Sequence, residues 1–399
     1  MKKIINRLLL LSLAILVGIL IFTDIPLLSP FTENELSSFL LKKTSTQKKI
    51  YGFLPYWNIN KVTLQEELTH LAYFSLSINS DGSFKTHQGS NLEPGFNKLQ
   101  SGKFSELIEP IDNSKIKTNI VLSLFSNKDI KLFLASEEAQ AKFLNSLDSL
   151  LLAHPFSGVN IDIEYDGEAS QELRDQYTEF IKKTSLHLQS KYKNMELSVD
   201  MYAAAASKNM IWDVSEIHPF VSYIIVMAYD FHRSSSAQAG PVAPLFNKEN
   251  SWKESIHSYL KDFAKKVPTK KILLGIPFYG YEWQTTTREP QSFTYPQSGS
   301  TASYQRIKEL LEKKSELKIQ EHWDKNALEP YLTYEEDNKI FTVYYENAES
   351  ITYKLDYVNQ LNLAGIAIWS LGYEGNSRDL WDVIQQSLLH EPTTNSIVQ

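Results

Sequence analysis

FSGVNIDIEYDG, running from Phe156 to Gly167, reads as a short buried strand that carries acids. Val159, Ile161 and Ile163 alternate with Asn160, Asp162 and Glu164. Side chains two apart on a strand point to the same face, so the branched apolar residues share one face and the polar set shares the other. Half-buried antiparallel sheets show the same alternation, with their polar face in water. The rest of the chain decides between the two settings.

Working outward, apolar runs of strand length recur on both sides. Before this stretch come Ile50 to Trp57 (IYGFLPYW), Leu68 to Ile78 (LTHLAYFSLSI) and Thr118 to Phe125 (TNIVLSLF). After it come Glu196 to Tyr202 (ELSVDMY), Val221 to Asp230 (VSYIIVMAYD), Lys271 to Tyr279 (KILLGIPFY) and Ala364 to Leu371 (AGIAIWSL). Helical periodicity separates them, best at Glu138 to Leu152 and Gln171 to Tyr192, with further helices expected at Asn250 to Lys265 and Ser377 to Leu389. Eight strands alternating with helices predict an α/β fold, a (β/α)8 TIM barrel. A doubly wound open sheet is the alternative, and the lack of a G-x-G-x-x-G after the first strand argues against its dinucleotide-binding form. Residues 282–357, between the seventh and eighth strands, are too many for one helix. They hold YQRIKELLEKK, then hairpin-like alternation at Tyr331, Thr333 and Ile340 to Tyr345, with Glu336, Asp337 and Asn338 at the turn. This predicts a small α+β insertion at the C-terminal rim, where barrel active sites lie.

Composition narrows the function classes. A chain of 399 residues, 42% hydrophobic, has ample material for a large core. Its 47 acids outnumber its 40 bases and no basic block follows the first residues, so nucleic acid is not an expected partner. The absence of cysteine excludes disulfides and thiolate metal sites. The 21 Tyr, 20 Phe and 7 Trp supply flat rings of the kind that stack on sugar faces, although most rings in any chain are core.

At the N-terminus, Lys2, Lys3 and Arg7 precede an apolar run from Leu8 to Phe22 broken only by Ser12 and Gly18. Residues 1–25 are expected to be a signal peptide or an uncleaved signal-anchor helix, since Ile4 to Ile25 is just long enough to span a bilayer. Residues 26–48 read as a tether, 49–390 as the catalytic barrel and 391–399 as a tail. The basic start would stay in the cytoplasm, so the barrel is expected outside it, secreted or membrane-anchored, with this segment as its sole membrane contact. A monomer is expected.

On a barrel's inward strand face, the base is packed core and the top is active site. Asp162 and Glu164 then sit together at the top of the fourth strand. Two close carboxylates partly sealed from water cannot both ionise comfortably, so one becomes a candidate general acid. Glu164, with the longer reach and nearer the strand end, is the expected proton donor, and Asp162 its partner. A metal site is the competing use, but no His stands at ligand spacing. Asp166 and Glu168 are expected on the following loop, in solvent.

At this point the residues resemble a known family. SGVNIDIE, Ser157 to Glu164, is similar to the D-G-x-D-x-D-x-E signature of family 18 glycoside hydrolases. YGFLPYWN resembles the first strand of that family, MAYD (Met227 to Asp230) its M-x-Y-D motif and AGPVAPL (Ala239 to Leu245) the loop beyond. GIPFYG (Gly275 to Gly280) resembles its seventh strand and GIAIWSLGYEG (Gly365 to Gly375) its eighth. The resemblance implies substrate-assisted retaining hydrolysis of β-1,4 links beside N-acetylglucosamine, with chitin or chito-oligosaccharides first among substrates and peptidoglycan and N-glycans as alternatives. It gives Glu164, Asp162 and Tyr229 as catalytic. It implies Asp230, Met227, Asn160, Tyr279 and Phe53 as substrate-binding, with Trp369 stacked beneath the sugar. No cofactor or metal is implied. Ser157 and Asn160 replace the first and second Asp of the signature, and Phe125 stands where the family often has Gly. An amide at 160 can donate to Asp162 but cannot carry a negative charge. A non-catalytic, lectin-like barrel is the rival reading, against which stands the retained Glu164.

Overall fold

The computed structural model describes residues 47–110, 116–247 and 252–389. The expected signal or anchor segment, all but the end of the tether, and the tail lie outside the described residues. Among the described residues no helix is long and apolar enough to cross a membrane.

Seven parallel barrel strands come first, β1 (Lys49–Pro55), β2 (His70–Ser77), β3 (Lys117–Leu124), β4 (Gly158–Ile163), β5 (Glu196–Tyr202), β6 (Tyr223–Met227) and β7 (Ile272–Pro277), interrupted among the described residues only by a short antiparallel pair, His87–Gln88 with Asn91–Leu92, between β2 and β3. Five more follow: β8 (Tyr279–Thr285), β9 (Ser300–Ser303), β10 (Gln320–Asp324), β11 (Glu329–Glu336) and β12 (Lys339–Tyr344). The last strand is β13 (Gly365–Trp369). Strands β1 to β7 and β13 close a parallel barrel in the order β1-β13-β7-β6-β5-β4-β3-β2. The predicted TIM barrel is present, with a small antiparallel sheet, β9-β8-β12-β11-β10, inserted before its last strand.

Local sequence accounts for the helices around it. Helix Glu137–Ala153 starts at Ser136, whose hydroxyl accepts from the Ala139 N–H, and buries Phe143, Leu147, Leu150 and Leu151 at helical spacing. Helix Gln171–Lys191 is capped in the same way by Ser170 and buries Leu173, Tyr177, Phe180, Ile181 and Leu188. Each fully buried Leu or Phe of these stripes contributes about 1.5–3 kcal/mol. Inside the barrel, Tyr51, Phe53, Ala72, Val121, Ile225, Leu273 and Ala367 form one packed cluster. At the base, where strands begin, Glu196 binds His70 at 2.9 Å and Lys117 at 2.5 Å.

Two strands stop earlier than their apolar runs suggest. β6 ends at Met227, and the chain leaves the sheet through Asp230, which has φ 62°. Aspartate is among the few side chains that accept this left-handed backbone. β7 ends at Pro277 because the next residues change partners: Tyr279 pairs with Ser303 and Tyr281 with Tyr344, both in the inserted sheet. Helix Ala348–Gln360, started by a capping box at Asn347, packs against Asp379–Ile384 and the last barrel strand, and its Tyr353 ring meets Trp323 of β10, so it joins the inserted sheet to the barrel.

Candidate active site

Register builds the site from the inner faces of neighbouring strands. On β4, Val159, Ile161 and Ile163 are fully buried against the outer layer, and Asn160 and Asp162 point inward. Ser123 of β3 lies beside Asp162, and Ser198 of β5 beside Asn160. One step higher the wall opens. A cleft of about 310 Å³ is lined by Asp162, Glu164, Asp200, Tyr202, Met227, Tyr229, Asp230 and Arg233, with Trp369 and a ring of further aromatics.

Every expected site residue except Asn160 lines this cleft. Phe53 forms part of its floor, its ring 5.9 Å from that of Trp369, which also meets Phe74 edge-on at 4.6 Å. Asn160 is a correction. It is wholly buried below the cleft, and its Nδ2 donates to Ser198 Oγ (3.0 Å) and Asp200 Oδ1 (2.9 Å), so it does not line the cleft and its amide donates to β5 rather than to Asp162. The amide turns toward β5 because acceptors stand there.

Burial dominates the electrostatics. It drives the Asp162 carboxyl well above the usual carboxylate range, helped by the negative charges of Glu164 and Asp200. Glu164 is raised too, chiefly by burial, against the opposing pull of a hydrogen bond from Tyr202 and the nearby Arg233 guanidinium. Asp162 also donates to Glu164, a bond that favours the proton on Asp162. The Tyr229 phenol is pushed far up by burial and by Asp200, Asp230, Glu164 and Asp162, so it remains a hydrogen-bond donor. Gly275 makes room for that ring. A Cβ there would lie 2.6 Å from the Val226 carbonyl oxygen and 3.0 Å from Tyr229 Cε1.

The inserted sheet supplies one wall. Tyr279, Tyr281 and Trp283 alternate along β8, so all three face the segment after β6. Tyr279 and Tyr281 donate to Asp230 Oδ1, the latter at 3.0 Å, and Trp283 Nε1 donates to the Arg233 carbonyl at 3.1 Å. Arg233 itself is largely exposed, its Nε 3.9 Å from Asp230 Oδ2. Among the described residues no group of three or more His, Asp or Glu could hold a metal ion.

The profile of the glycosyl hydrolases family 18 matches residues 43–374. The chain belongs to glycosyl hydrolase family 18. A Bacillus subtilis protein named as an uncharacterized glycosylase is 28% identical over 284 residues, 68% of this chain and 75% of its own. The cortical fragment-lytic enzyme of the same bacterium is 20% identical over 314 residues, 76% of this chain and 65% of its own. A further B. subtilis relative is matched over 56% of its length. The fold is shared with the crystal structure of the Ostrinia furnacalis group IV chitinase, at a TM-score of 0.73 and 22% identity, over 86% of this chain and all of that one.

Several lining residues of this family 18 cleft escaped the sequence reading. Asp200 and Tyr202 had a signal: Ser198, Asp200 and Tyr202 alternate with Val199 and Met201, the same pattern as on β4. Arg233 follows MAYD by three residues and carried no pattern of its own. Tyr281 and Thr301 lie on short strands, β8 and β9, that were read only as part of an insertion.

Proposed function

We propose that this family 18 hydrolase cleaves β-1,4 bonds next to N-acetylglucosamine with retention, using the sugar's own acetamido group as nucleophile. The observation that carries this reading is the state of Asp162. A carboxyl 2% exposed, whose ionisation is opposed by burial and by the charges of Glu164 and Asp200, makes a poor nucleophile, which supports a nucleophile drawn from the substrate. Glu164 gives its proton to the leaving oxygen as the C1–O bond breaks. The acetamido carbonyl oxygen bonds to C1, Asp162 holds the amide N–H, and the Tyr229 hydroxyl orients the acetamido oxygen. Water then attacks C1, breaking the bond from C1 to the acetamido oxygen and so restoring the acetamido group, and loses its proton to Glu164. Trp369 supports the ring from below and Asp230 contacts the distorted sugar.

Chito-oligosaccharides are the first substrate class. The solved chitinase with the same fold and the aromatic cleft support this choice. A second reading, peptidoglycan fragments, is favoured by Arg233, a largely exposed cation beside Glu164 able to meet a sugar's carboxylate, and by the relative named for lysis of cortical fragments. Hydrolysis of fluorogenic chito-oligosaccharides and of muramyl-containing fragments, beside Glu164→Gln, tests both. We expect at least a hundredfold loss of turnover in Glu164→Gln with sugar binding retained. An active Glu164→Gln enzyme would sink the assignment. If Arg233 selects a carboxylate, Arg233→Gln lowers kcat/KM on muramyl substrates while sparing the neutral oligomers.

A further inference from the structure

The cleft contains one more acid than the reaction above uses. Asp200, on β5, is 3% exposed, lines the cleft together with Asp162 and acts on it through its charge, and Asp162 Oδ1 is buried without a hydrogen-bond partner. Position 160, directly below, carries an amide. Both hydrogen bonds from that amide leave through Nδ2 toward β5, one of them to Asp200, while its Oδ1 has no partner. An N–H donor favours the ionised form of the carboxylate it meets. Burial and the charge of Glu164 drive Asp200 well above the usual carboxylate range, as they do Asp162, but only Asp200 is pulled back by an N–H from Asn160, so of the two it is Asp200 that takes the buried charge first and Asp162 that keeps the proton.

We propose that Asp200 is a positioning residue that acts through Asp162, the buried charge that keeps a proton on the Asp162–Glu164 pair. It rests on the hydrolase reading above. Two buried acids this close cannot both be charged, and they titrate as a unit. With Asp200 negative, removal of the last proton from Asp162 and Glu164 is opposed by a like charge in a site sealed from water. A strand-five carboxylate thus does what the amide at position 160 cannot.

The groups that face Asp200 agree with this assignment. From β4 come Asn160, Asp162 and Glu164, and from β5 itself Ser198 and Tyr202. Tyr229 beyond β6 feels Asp200 most strongly of the four carboxylates around it, Tyr51 approaches from β1 and Tyr177 from the helix outside. All three phenols are neutral. The cation of the cleft, Arg233, acts on Glu164 and Tyr202 instead.

The test is the pH dependence of kcat/KM for wild type, Asp200→Asn, Asn160→Asp and the exchange Asn160→Asp/Asp200→Asn, each checked for folding by thermal melting. The alkaline limb reports loss of the catalytic proton. We expect Asp200→Asn to move that limb down by about one pH unit, the scale of one neighbouring charge, and the exchange to bring it back. A merely structural Asp200 would change the melting curve and leave the limb in place. An unmoved limb in folded Asp200→Asn, or a folded exchange that fails to restore it, overturns the proposal. If Asp200→Asn does not fold, Asn160→Asp decides: a second buried acid should move the limb up, and no shift refutes the idea. If wild type hydrolyses none of the glycans, the hydrolase reading fails separately. Carboxyl infrared titration of unligated wild type and Asp200→Asn then reads the same proton directly: ionisation of the buried pair at lower pH in Asp200→Asn supports the proposal, and an unchanged titration overturns it.

Discussion

Asp162 illustrates how a residue can serve a site and burden its fold. In the folded chain it holds its proton above the ordinary carboxylate range, because it is buried beside Glu164 and Asp200. The folded state then binds more protons than the unfolded one, so stability falls as pH rises above about 4, the unfolded carboxyl value. Asp162→Asn removes that liability. Its melting temperature should exceed that of wild type by a margin that grows from pH 4 to pH 7, while turnover collapses; a margin independent of pH would contradict the assignment. Tyr229 acts as a donor, and Tyr229→Phe should lower kcat by roughly 10²–10³, as for other single donors to a developing charge, with little change in melting. The acids of β4 were legible because acids in an apolar run are costly. Asp200 was hidden in plain alternation, since Ser198, Asp200 and Tyr202 read equally well as one polar strand face. Nothing in the letters indicates that Asn160 turns to β5 rather than to Asp162; that depends on which acceptors the neighbouring strand offers.

At the scale of elements, the barrel strands were readable because strands enclosed by helices are continuous apolar runs. Their ends were less so. MAYD looks like more strand, but its last residue adopts the left-handed backbone and leaves the sheet. GIPFY runs on through Tyr279, although hydrogen bonding passes to the inserted sheet after Pro277. The tie between insertion and barrel was invisible in sequence. Glu329, at the start of β11, accepts from the Val242 and Ala243 N–H groups at 2.7 and 2.9 Å, across 87 and 86 residues. Beside it Lys354 and Glu346 form a fully buried ion pair at 2.7 Å. Lys354→Met leaves Glu346 without its cation and should cost about 3–5 kcal/mol, the usual penalty for breaking a buried pair, measured by denaturant melting. A loss below about 1 kcal/mol would mean that the pair is dispensable. Glu329→Gln removes charge but keeps one acceptor, so it should loosen the loop at Val242 and raise KM before it unfolds the chain.

For the molecule as a whole, we propose that the barrel lies outside the cytoplasm, secreted or anchored by residues 1–25, and the anchored form is the one tested first. Full-length protein expressed in bacteria should fractionate with membranes and be digested by protease added to intact spheroplasts. Recovery of uncut chain from the cytosol would contradict it. The fold itself followed from the count and spacing of strands, a property of the whole chain that no single motif carries.

Glu329 has a consequence for exchanging parts among relatives. A designer who grafts the inserted sheet onto another barrel as a cassette, cut at its two obvious ends, would transplant a carboxylate that expects two particular amides. The recipient's own loop after its sixth strand would meet it in the wrong place, and Lys354, on the helix beyond the cut, would be left behind. The transferable unit is therefore discontinuous: the sheet, residues 239–245 and helix Ala348–Gln360 move together or the chimera loses its cleft wall.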